Sequence, residues 1–134
     1  MPQKSSSDHV KVATEFFRMV GDGKMKEALR FFSPNCRQHN PFVHGGMAAL
    51  LKVMATAFGE GTSQFGDSEF RVANVLSDGD LVAVHTELLN SKRKPREGGV
   101  RQVHIFRFKG DKIVEYWDVS QQITPEMPNA SEAF

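Results

Sequence analysis

This sequence has very little cysteine and almost no net charge. Its 134 residues include one cysteine, Cys36, which excludes an intramolecular disulfide and any metal site built from several thiolates. Lysine and arginine together number 17 and acidic residues 16, so the formal net charge is +1. Such a chain has no overall field that attracts nucleic acid or an anionic membrane. We therefore expect a small, neutral or weakly charged molecule as its ligand.

Long apolar runs are also missing. No segment approaches the roughly 20 apolar residues of a membrane helix, and no apolar stretch follows Lys4 near the N-terminus. The sequence therefore predicts a cytoplasmic protein that does not enter a membrane. With 40% hydrophobic and 25% charged residues, the composition is that of an ordinary globular protein, and the length suits one domain.

Helical periodicity dominates the first half of the chain. Apolar residues recur at helical spacing from Ser7 to Val20, from Lys24 to Phe32 and from Gly46 to Phe58. Ser33-Pro34-Asn35 breaks the second run, because proline cannot continue a helix. The sequence thus predicts three helices in this half.

The second half changes to the alternation of β-strands. Four runs predict strands: Phe70–Leu76, Leu81–Leu89, Val100–Phe108 and Ile113–Gln121. The turn sequences Ser77-Asp78-Gly79-Asp80 and Lys109-Gly110-Asp111-Lys112 join them into antiparallel pairs. Helices followed by strands favour an α+β domain, which we place at residues 7–123. A disordered segment, 1–6, is predicted before it and a flexible tail, 124–134, after it.

Alternation along the last two predicted strands gathers polar residues. One face of the third strand carries Val100, Gln102, His104, Phe106 and Phe108, and one face of the fourth carries Val114, Tyr116, Asp118 and Ser120. Polar groups that share a face can satisfy each other or a ligand. This face is therefore the candidate site.

The register of the last hairpin decides whether these two sets meet. A three-residue connection, Gly110–Lys112, would put Asp118 opposite His104, whereas a two-residue turn would put Trp117 there. We favour the first register because it brings the polar residues together. The sequence alone leaves both open.

Two stretches resemble a known family. Gln102-Val103-His104-Ile105-Phe106-Arg107 contains a Gln-x-His pattern, and the stretch from Gly110 to Asp118 ends in Tyr116-Trp117-Asp118. With the order of helices and strands, they resemble the SnoaL-like polyketide cyclase branch of the nuclear transport factor 2-like (NTF2-like), or ketosteroid-isomerase-like, superfamily. The resemblance covers roughly Val10 to Gln121. It implies three N-terminal helices on a strongly curved antiparallel or mixed sheet, an NTF2-like or cystatin-like α+β barrel with a cone-shaped pocket.

The resemblance also implies roles for four residues. Asp118 matches the family's general base, His104 and Gln102 match the groups around the reacting carbonyl, and Asn40 of Asn40-Pro41 matches a pocket asparagine. The family's reaction is an aldol condensation that closes a polyketide ring without metal or organic cofactor. We therefore expect an enzyme, without a cofactor, for a small apolar carbonyl compound. A dehydratase or isomerase, or a binding domain without chemistry, stays open because one fold hosts many functions.

Two positions depart from the family's pattern. Tyr116 stands where many SnoaL-like sequences have histidine, and His39 stands where the cyclases tend to be apolar.

His85 shares strand parity with Leu81 and Ala83, so it either enters the pocket or is an ordinary half-buried histidine. The expected pocket lining is His39, His85, Tyr116, Phe106, Phe108, Phe17 and Met54.

Structural roles compete with these functional ones. Asp118 could simply hold His104 or a backbone amide, and Asn40-Pro41 could equally be a turn.

A metal site is disfavoured because no short spacing such as His-x-x-x-His occurs among the candidate ligands, which are His39, His44, His85, His104 and Asp118.

Two surface features remain. The basic cluster Lys92-Arg93-Lys94-Pro95-Arg96 predicts a solvated hairpin tip, with a phosphate or coenzyme A contact as the alternative. Nucleic acid is disfavoured because no aromatic residues are interleaved for stacking. Trp117 and Val119, on the opposite sheet face, predict an exposed apolar patch for self-association. The resemblance implies a homodimer through this outer face.

Overall fold

Three helices and five strands make up the fold. The structure, a computed structural model, describes residues 6–58, 69–89 and 98–134. The helices are α1 (Ser6–Gly21), α2 (Met25–Ala28), which continues as a 3₁₀ turn (Leu29–Phe31), and α3 (Met47–Phe58). The strands are β1 (Phe32–Gln38), β2 (Glu69–Asp78), β3 (Leu81–Leu89), β4 (Gly99–Lys109) and β5 (Lys112–Ile123).

The strands form one mixed sheet in the order β1-β5-β4-β3-β2. Neighbours from β2 to β5 are antiparallel, whereas β1 runs parallel to β5. The sheet is curved but does not close into a barrel. The helices pack on its inner face, so the predicted α+β fold is confirmed.

Strand β1 is absent from the sequence prediction, in which Ser33-Pro34-Asn35 is a break. The structure explains why proline is tolerated: β1 is an edge strand that pairs only with β5. Its register is irregular between Phe32 and Arg37, the stretch that contains Pro34. An edge strand can lack one backbone N–H without losing a ladder bond on both sides.

The core lies between the helices and the inner face of the sheet. Phe16 of α1 meets Phe32 of β1 and Phe106 of β4 edge-on, with ring centroids 5.3 and 5.8 Å apart. Tyr116 of β5 joins the same cluster, 5.3 Å from Phe106. Aromatic rings packed in this way bury large apolar areas, which stabilises the face that carries the site.

The β4–β5 hairpin has the two-residue turn Gly110-Asp111, since Lys109 pairs with Lys112. Gly110 adopts a φ of 63°, in the left-handed region that glycine enters without a steric penalty. The three-residue connection predicted from the sequence is therefore wrong.

A bulge nevertheless produces the favoured register. Arg107 pairs with Glu115 and Phe108 with Ile113, which leaves Val114 as the extra residue. Asp118 consequently lies opposite His104, as predicted. The bulge also buries Ile113 completely and not Val114, which corrects the predicted face for these two residues.

The predicted ends of the domain lie partly outside the described residues. Ser6 begins α1, whereas the rest of segment 1–6 and the whole basic cluster Lys92-Arg93-Lys94-Pro95-Arg96 lie outside them. The tail contains a short 3₁₀ helix (Ala130–Glu132), and Arg101 donates a hydrogen bond to the carbonyl of Ala133 at 3.0 Å. None of the described helices is long and apolar enough to cross a membrane.

Candidate functional site

The site begins with a cross-strand pair on the inner face. His104 of β4 lies opposite Asp118 of β5, and Val84 of β3 lies on the other side of His104. Cross-strand partners point to the same side of a sheet, so the imidazole and the carboxylate share the inner face. His104 is 2% exposed, while Asp118 is half-buried.

Both ring nitrogens of His104 are engaged inside the protein. Nε2 lies 3.0 Å from Oγ1 of Thr86, and Nδ1 lies 2.6 Å from the hydroxyl oxygen of Tyr116. The ring of Phe17 packs 4.7 Å away, centroid to centroid. Burial lowers the pKa of His104 to about 3, because a dry environment disfavours the charged imidazolium. The ring is therefore neutral at ordinary pH.

Tyr116 connects His104 to Asp118. Its side chain is 1% exposed, and its hydroxyl lies 3.5 Å from Oδ2 of Asp118, to which it donates. Burial raises the pKa of Tyr116 well above its ordinary value, and the charge of Asp118 and this hydrogen bond raise it further. The phenol thus remains a hydrogen-bond donor.

Asn40 reaches Asp118 from the end of β1. Its amide nitrogen donates to Oδ2 of Asp118 at 3.1 Å, and its amide oxygen accepts from the backbone N–H of Phe42 at 2.8 Å. Gln38 accepts from the backbone N–H of Asn40 at 2.7 Å and donates to two loop carbonyls. Asn40-Pro41 is therefore a turn and part of the site at once, so the two alternatives are not exclusive.

Gln102 lies on the inner face of β4, two residues before His104. It is paired with Ser120 of β5, and its amide nitrogen donates to the Ser120 hydroxyl at 2.8 Å. Two residues along a strand correspond to roughly 7 Å, which separates this pair from Asp118. Gln102 thus shares the face of Asp118 without contacting it directly.

A model of the SnoaL-like domain family matches residues 13–116, which is more than half of the chain. The chain belongs to the SnoaL-like family. No curated protein sequence matches it.

Solved structures share the fold of this SnoaL-like domain. The structure of AclR, a putative hydroxylase from Streptomyces galilaeus, matches with a TM-score of 0.70 and 18% identity, over 87% of this chain and 77% of that chain. A putative ketosteroid isomerase from Kribbella flavida matches with 0.67 and 15%, over 96% and 89%. An NTF2-like protein of Cytophaga hutchinsonii matches with 0.62 and 12%, over 90% and 93%. At such identities the likeness shows an NTF2-like fold.

His39 does not line the inner face of the SnoaL-like domain. Its ring stacks on Trp117 with centroids 4.9 Å apart, and its Nε2 lies 2.7 Å from a carboxylate oxygen of Glu115. Both partners alternate with Tyr116 and Asp118 along β5, so they face outwards. The expectation that His39 joins the inner pocket is wrong, because it leaves β1 on the opposite side from Asn40.

His85 is also on the outer face. It pairs with Val103, and its Nδ1 lies 3.1 Å from the amide nitrogen of Asn74. The buried residues of β3 in this stretch are Val82, Val84 and Thr86, whereas His85 has the opposite parity. The expectation that His85 enters the inner pocket is therefore wrong, and His85 instead lines an outer groove of about 720 Å³.

The remaining predicted lining residues belong to the core. Phe106 and Phe17 are buried, and Phe17 contacts His104. Phe108 stacks on His9 with centroids 4.3 Å apart, away from Asp118 along β4, and Met54 packs half-buried against the core. Of these four, Phe17 has a ring contact with His104, and Phe106 has one with Tyr116.

Two residues of the site are missing from the sequence prediction. Thr86 contacts His104, and Gln38 supports Asn40. The signal for Thr86 is its position in the alternation of β3, where a polar residue follows the parity of Val82 and Val84. Gln38 has no comparable signal, because β1 itself is not predicted.

Metal-ligand side chains are dispersed in this domain. Within residues 6–58, 69–89 and 98–134, no group of three or more histidine, cysteine or acidic side chains is placed to hold a metal ion. Cys36 is buried, and burial raises the pKa of its thiol to about 11. A thiol of this kind is a poor nucleophile at neutral pH.

Proposed function

We propose that this SnoaL-like domain is a cofactor-independent acid–base enzyme for a small apolar carbonyl compound, of the polyketide cyclase or aldol type. Asp118 is the base in this proposal. The observation that carries it is the meeting of one half-buried carboxylate with two hydrogen-bond donors, Asn40 and Tyr116, at the margin of an aromatic core.

The reaction begins with removal of a proton from a carbon beside a carbonyl. The carboxylate of Asp118 accepts this proton, and the electron pair of the broken C–H bond moves to the carbonyl oxygen to give an enolate. The enolate carbon then attacks a second carbonyl of the same molecule, forming the ring bond. The alkoxide so produced takes the proton back from Asp118.

Amide groups are available to stabilise the enolate oxygen. A primary amide has two N–H hydrogens, and Asn40 and Gln102 each use one in the contacts described above. The second hydrogen of each can donate to a developing oxyanion. His104 is not assigned this role, because it is almost fully buried and both of its nitrogens already have partners.

The surroundings of Asp118 favour an uncharged substrate. The described partners of its carboxylate are an amide and a phenol, and His104 behind them is neutral. A carboxylate or phosphate group on the ligand would be placed beside Asp118, whose described partners include no cation to balance it. A neutral ketone or keto ester has no such penalty.

The test of the proposal is Asp118→Asn. We expect this variant to lose about 10²–10⁴-fold in kcat/KM on an accepted substrate, since this is the usual contribution of a general base. The assay uses a panel of β-keto esters, polyketide mimics and small β-hydroxy carbonyl compounds, with products identified by mass spectrometry and NMR, because ring closure leaves the mass unchanged. Asp111→Asn is the matched control, because it makes the same change in the exposed turn of the same hairpin.

The outcomes separate the alternatives. Unchanged turnover in Asp118→Asn would remove Asp118 from the mechanism. Ligands that bind and return chemically unaltered, with the same mass and the same NMR spectrum, would favour a non-catalytic small-molecule-binding domain. Loss of water from a β-hydroxy compound would favour a dehydratase, and a product of unchanged mass with a displaced double bond would favour an isomerase.

A second proposal concerns the outer face as a homodimer surface. Val119 and Leu76 are 68% and 63% exposed, and both line the outer groove together with Val103. Trp117 adds less exposed apolar surface to this patch than the sequence predicts, because the ring of His39 stacks on it. Exposed apolar side chains that adjoin one another favour contact with a second copy.

The homodimer predicts a concentration-dependent mass in light scattering. Val119→Asp places a charge in the apolar patch, so we expect this variant to dissociate while its circular dichroism stays unchanged. Lys109→Asp, at the exposed hairpin end of β4, changes charge outside the groove and serves as the control. A wild-type protein that remains monomeric at high concentration would contradict the proposal.

A further inference from the structure

A row of hydrogen-bonding side chains crosses the interior from β3 to β5. Thr86, His104 and Tyr116 follow one another with contacts of 3.0 and 2.6 Å, and Tyr116 continues to Asp118 at 3.5 Å. The first three side chains of the row are buried: Thr86, His104 and Tyr116. Buried polar hydrogens need protein acceptors because no bulk water reaches them.

Three hydrogens must be accommodated in this row. The Thr86 hydroxyl carries one, the neutral imidazole of His104 carries one, and the Tyr116 hydroxyl carries one. The acceptors are the free ring nitrogen, the hydroxyl oxygens and Oδ2 of Asp118. Because an ionised carboxylate can only accept, Asp118 forms the receiving end of the row.

One direction uses all three hydrogens. Thr86 donates to Nε2 of His104, the Nδ1–H of His104 donates to the Tyr116 oxygen, and the Tyr116 hydroxyl donates to Asp118. Each donor then has one acceptor. The row is fully satisfied in this direction.

The reverse direction leaves groups without partners. If Nε2 carried the hydrogen, it would donate to Thr86, and Tyr116 would donate to Nδ1. The hydroxyl hydrogen of Thr86 would then have no described acceptor, and Asp118 would lose the Tyr116 donor. An unpaired buried donor is costly, which disfavours this direction.

The geometry points to a one-way hydrogen-bond chain in which Thr86 holds His104 as the Nδ1–H tautomer and His104 thereby turns the Tyr116 hydroxyl towards Asp118. Thr86 and His104 are positioning residues that act through Tyr116. The neutral state of the buried imidazole agrees with this arrangement.

The chain also distinguishes the two oxygens of Asp118. Tyr116 and Asn40 both donate to Oδ2, whereas Oδ1 has no partner among the described residues. Oδ1 is therefore the oxygen that accepts the proton from a substrate carbon. This last step rests on the proposed function, whereas the chain itself does not depend on a substrate.

The direct test is the tautomer of His104 in the unliganded protein. The sequence contains five histidines, so ¹⁵N-labelled protein with the His104→Asn variant for assignment resolves the ring by NMR. We expect Nδ1 to carry the hydrogen and Nε2 to be bare at neutral pH. A hydrogen on Nε2 would overturn the chain, whether or not the protein has activity.

A pair of variants tests the effect on the site. Thr86→Val keeps the shape but removes the donor to Nε2, so we expect kcat about fivefold to tenfold lower with KM unchanged, the size of one hydrogen bond. Thr86→Ser restores the hydroxyl and should recover most of the lost kcat. Equal kcat in the Val and Ser variants would contradict positioning through Thr86.

The two proposals can fail separately. An Nδ1–H tautomer in a protein without turnover on the panel would support the chain and count against the enzyme. An Nε2–H tautomer in a protein that loses its turnover in Asp118→Asn would do the opposite. If Thr86→Val does not fold, the wild-type tautomer still decides the direction of the chain.

Discussion

The two faces of strands β4 and β5 place similar residues in opposite environments. On the inner face, His104 and Tyr116 share a short contact in a nearly dry interior. On the outer face, His39 contacts Glu115, which also accepts a longer hydrogen bond from Arg107 at 3.4 Å. The inner cluster is neutral apart from Asp118, whereas the outer cluster is ionic.

Strand parity and burial therefore decide the role of each histidine. A buried polar group must be matched by a specific partner, and loss of that partner typically costs about 1–3 kcal/mol. The outer ion pairs are half-buried and reached by water, and pairs that water screens are worth roughly 0–1 kcal/mol. Perturbing the inner face should therefore have larger effects than perturbing the outer face.

The largest difference is expected in the free energy of unfolding when an apolar side chain is removed from each face. Phe106→Ala removes a fully buried ring and should lower the free energy of unfolding by about 3–5 kcal/mol. Val119→Ala, on the exposed outer face, should change it by less than about 0.5 kcal/mol. Urea unfolding monitored by circular dichroism measures both, and similar losses in the two variants would contradict the contrast.

A smaller effect is expected from a change of one pH unit. The pKa of His104 is about 3 in the folded protein, below the ordinary value near 6.5 of an unfolded chain. Between these values the unfolded state binds one more proton, so stability falls as pH decreases, by about 1.4 kcal/mol per pH unit from this residue. Above pH 6.5 the contribution is fully present.

Urea unfolding at a series of pH values isolates this effect. His104→Asn removes the titrating group, so its free energy of unfolding should depend less on pH over this window than that of the wild type. Equal slopes in the two proteins would assign the pH dependence to other residues.

The smallest effect is expected on the outer face. The hydrogen bond from His39 is the largest cause that lowers the pKa of the Glu115 carboxyl, ahead of the contact from Arg107. His39→Phe keeps an aromatic ring against Trp117 but removes the donor, so the pKa of Glu115 should rise towards its ordinary value. NMR titration of the Glu115 carboxyl measures the change, and stability should barely move. An unchanged pKa would show that the two arginines, Arg107 and Arg37, hold it down without His39.

Much of the inner face follows from local patterns that the sequence shows directly. The turn sequence Lys109-Gly110-Asp111-Lys112 and the alternation of apolar residues along β4 and β5 predict the hairpin, although not the length of its turn. The resemblance adds Asp118 and Asn40, which the structure brings within 3.1 Å. The roles of these residues stay a prediction until turnover is measured.

The errors concern features that depend on distant residues. Edge position, which makes Pro34 acceptable in β1, is decided by how the five strands are ordered. The bulge at Val114 shifts the register of the hairpin by one residue, so Asp118 lies opposite His104 although the turn is shorter than predicted. No local sequence pattern predicts this bulge. His85 faces outwards because its neighbours in β3, Val84 and Thr86, are the ones buried on the inner face. His39 faces outwards because its partners Trp117 and Glu115 lie on the outer face.

The sequence alone was enough for the three helices, for four of the five strands and for the polar residues of one strand face, because these depend on local conformation and on the two-residue period of a strand. Which polar groups are neighbours depends on the packing of the whole domain, because Thr86, Tyr116 and Asn40 come from three separate strands or their ends. The physical reason is that a buried hydrogen bond needs both burial and a partner, and both are supplied by residues far away in the chain.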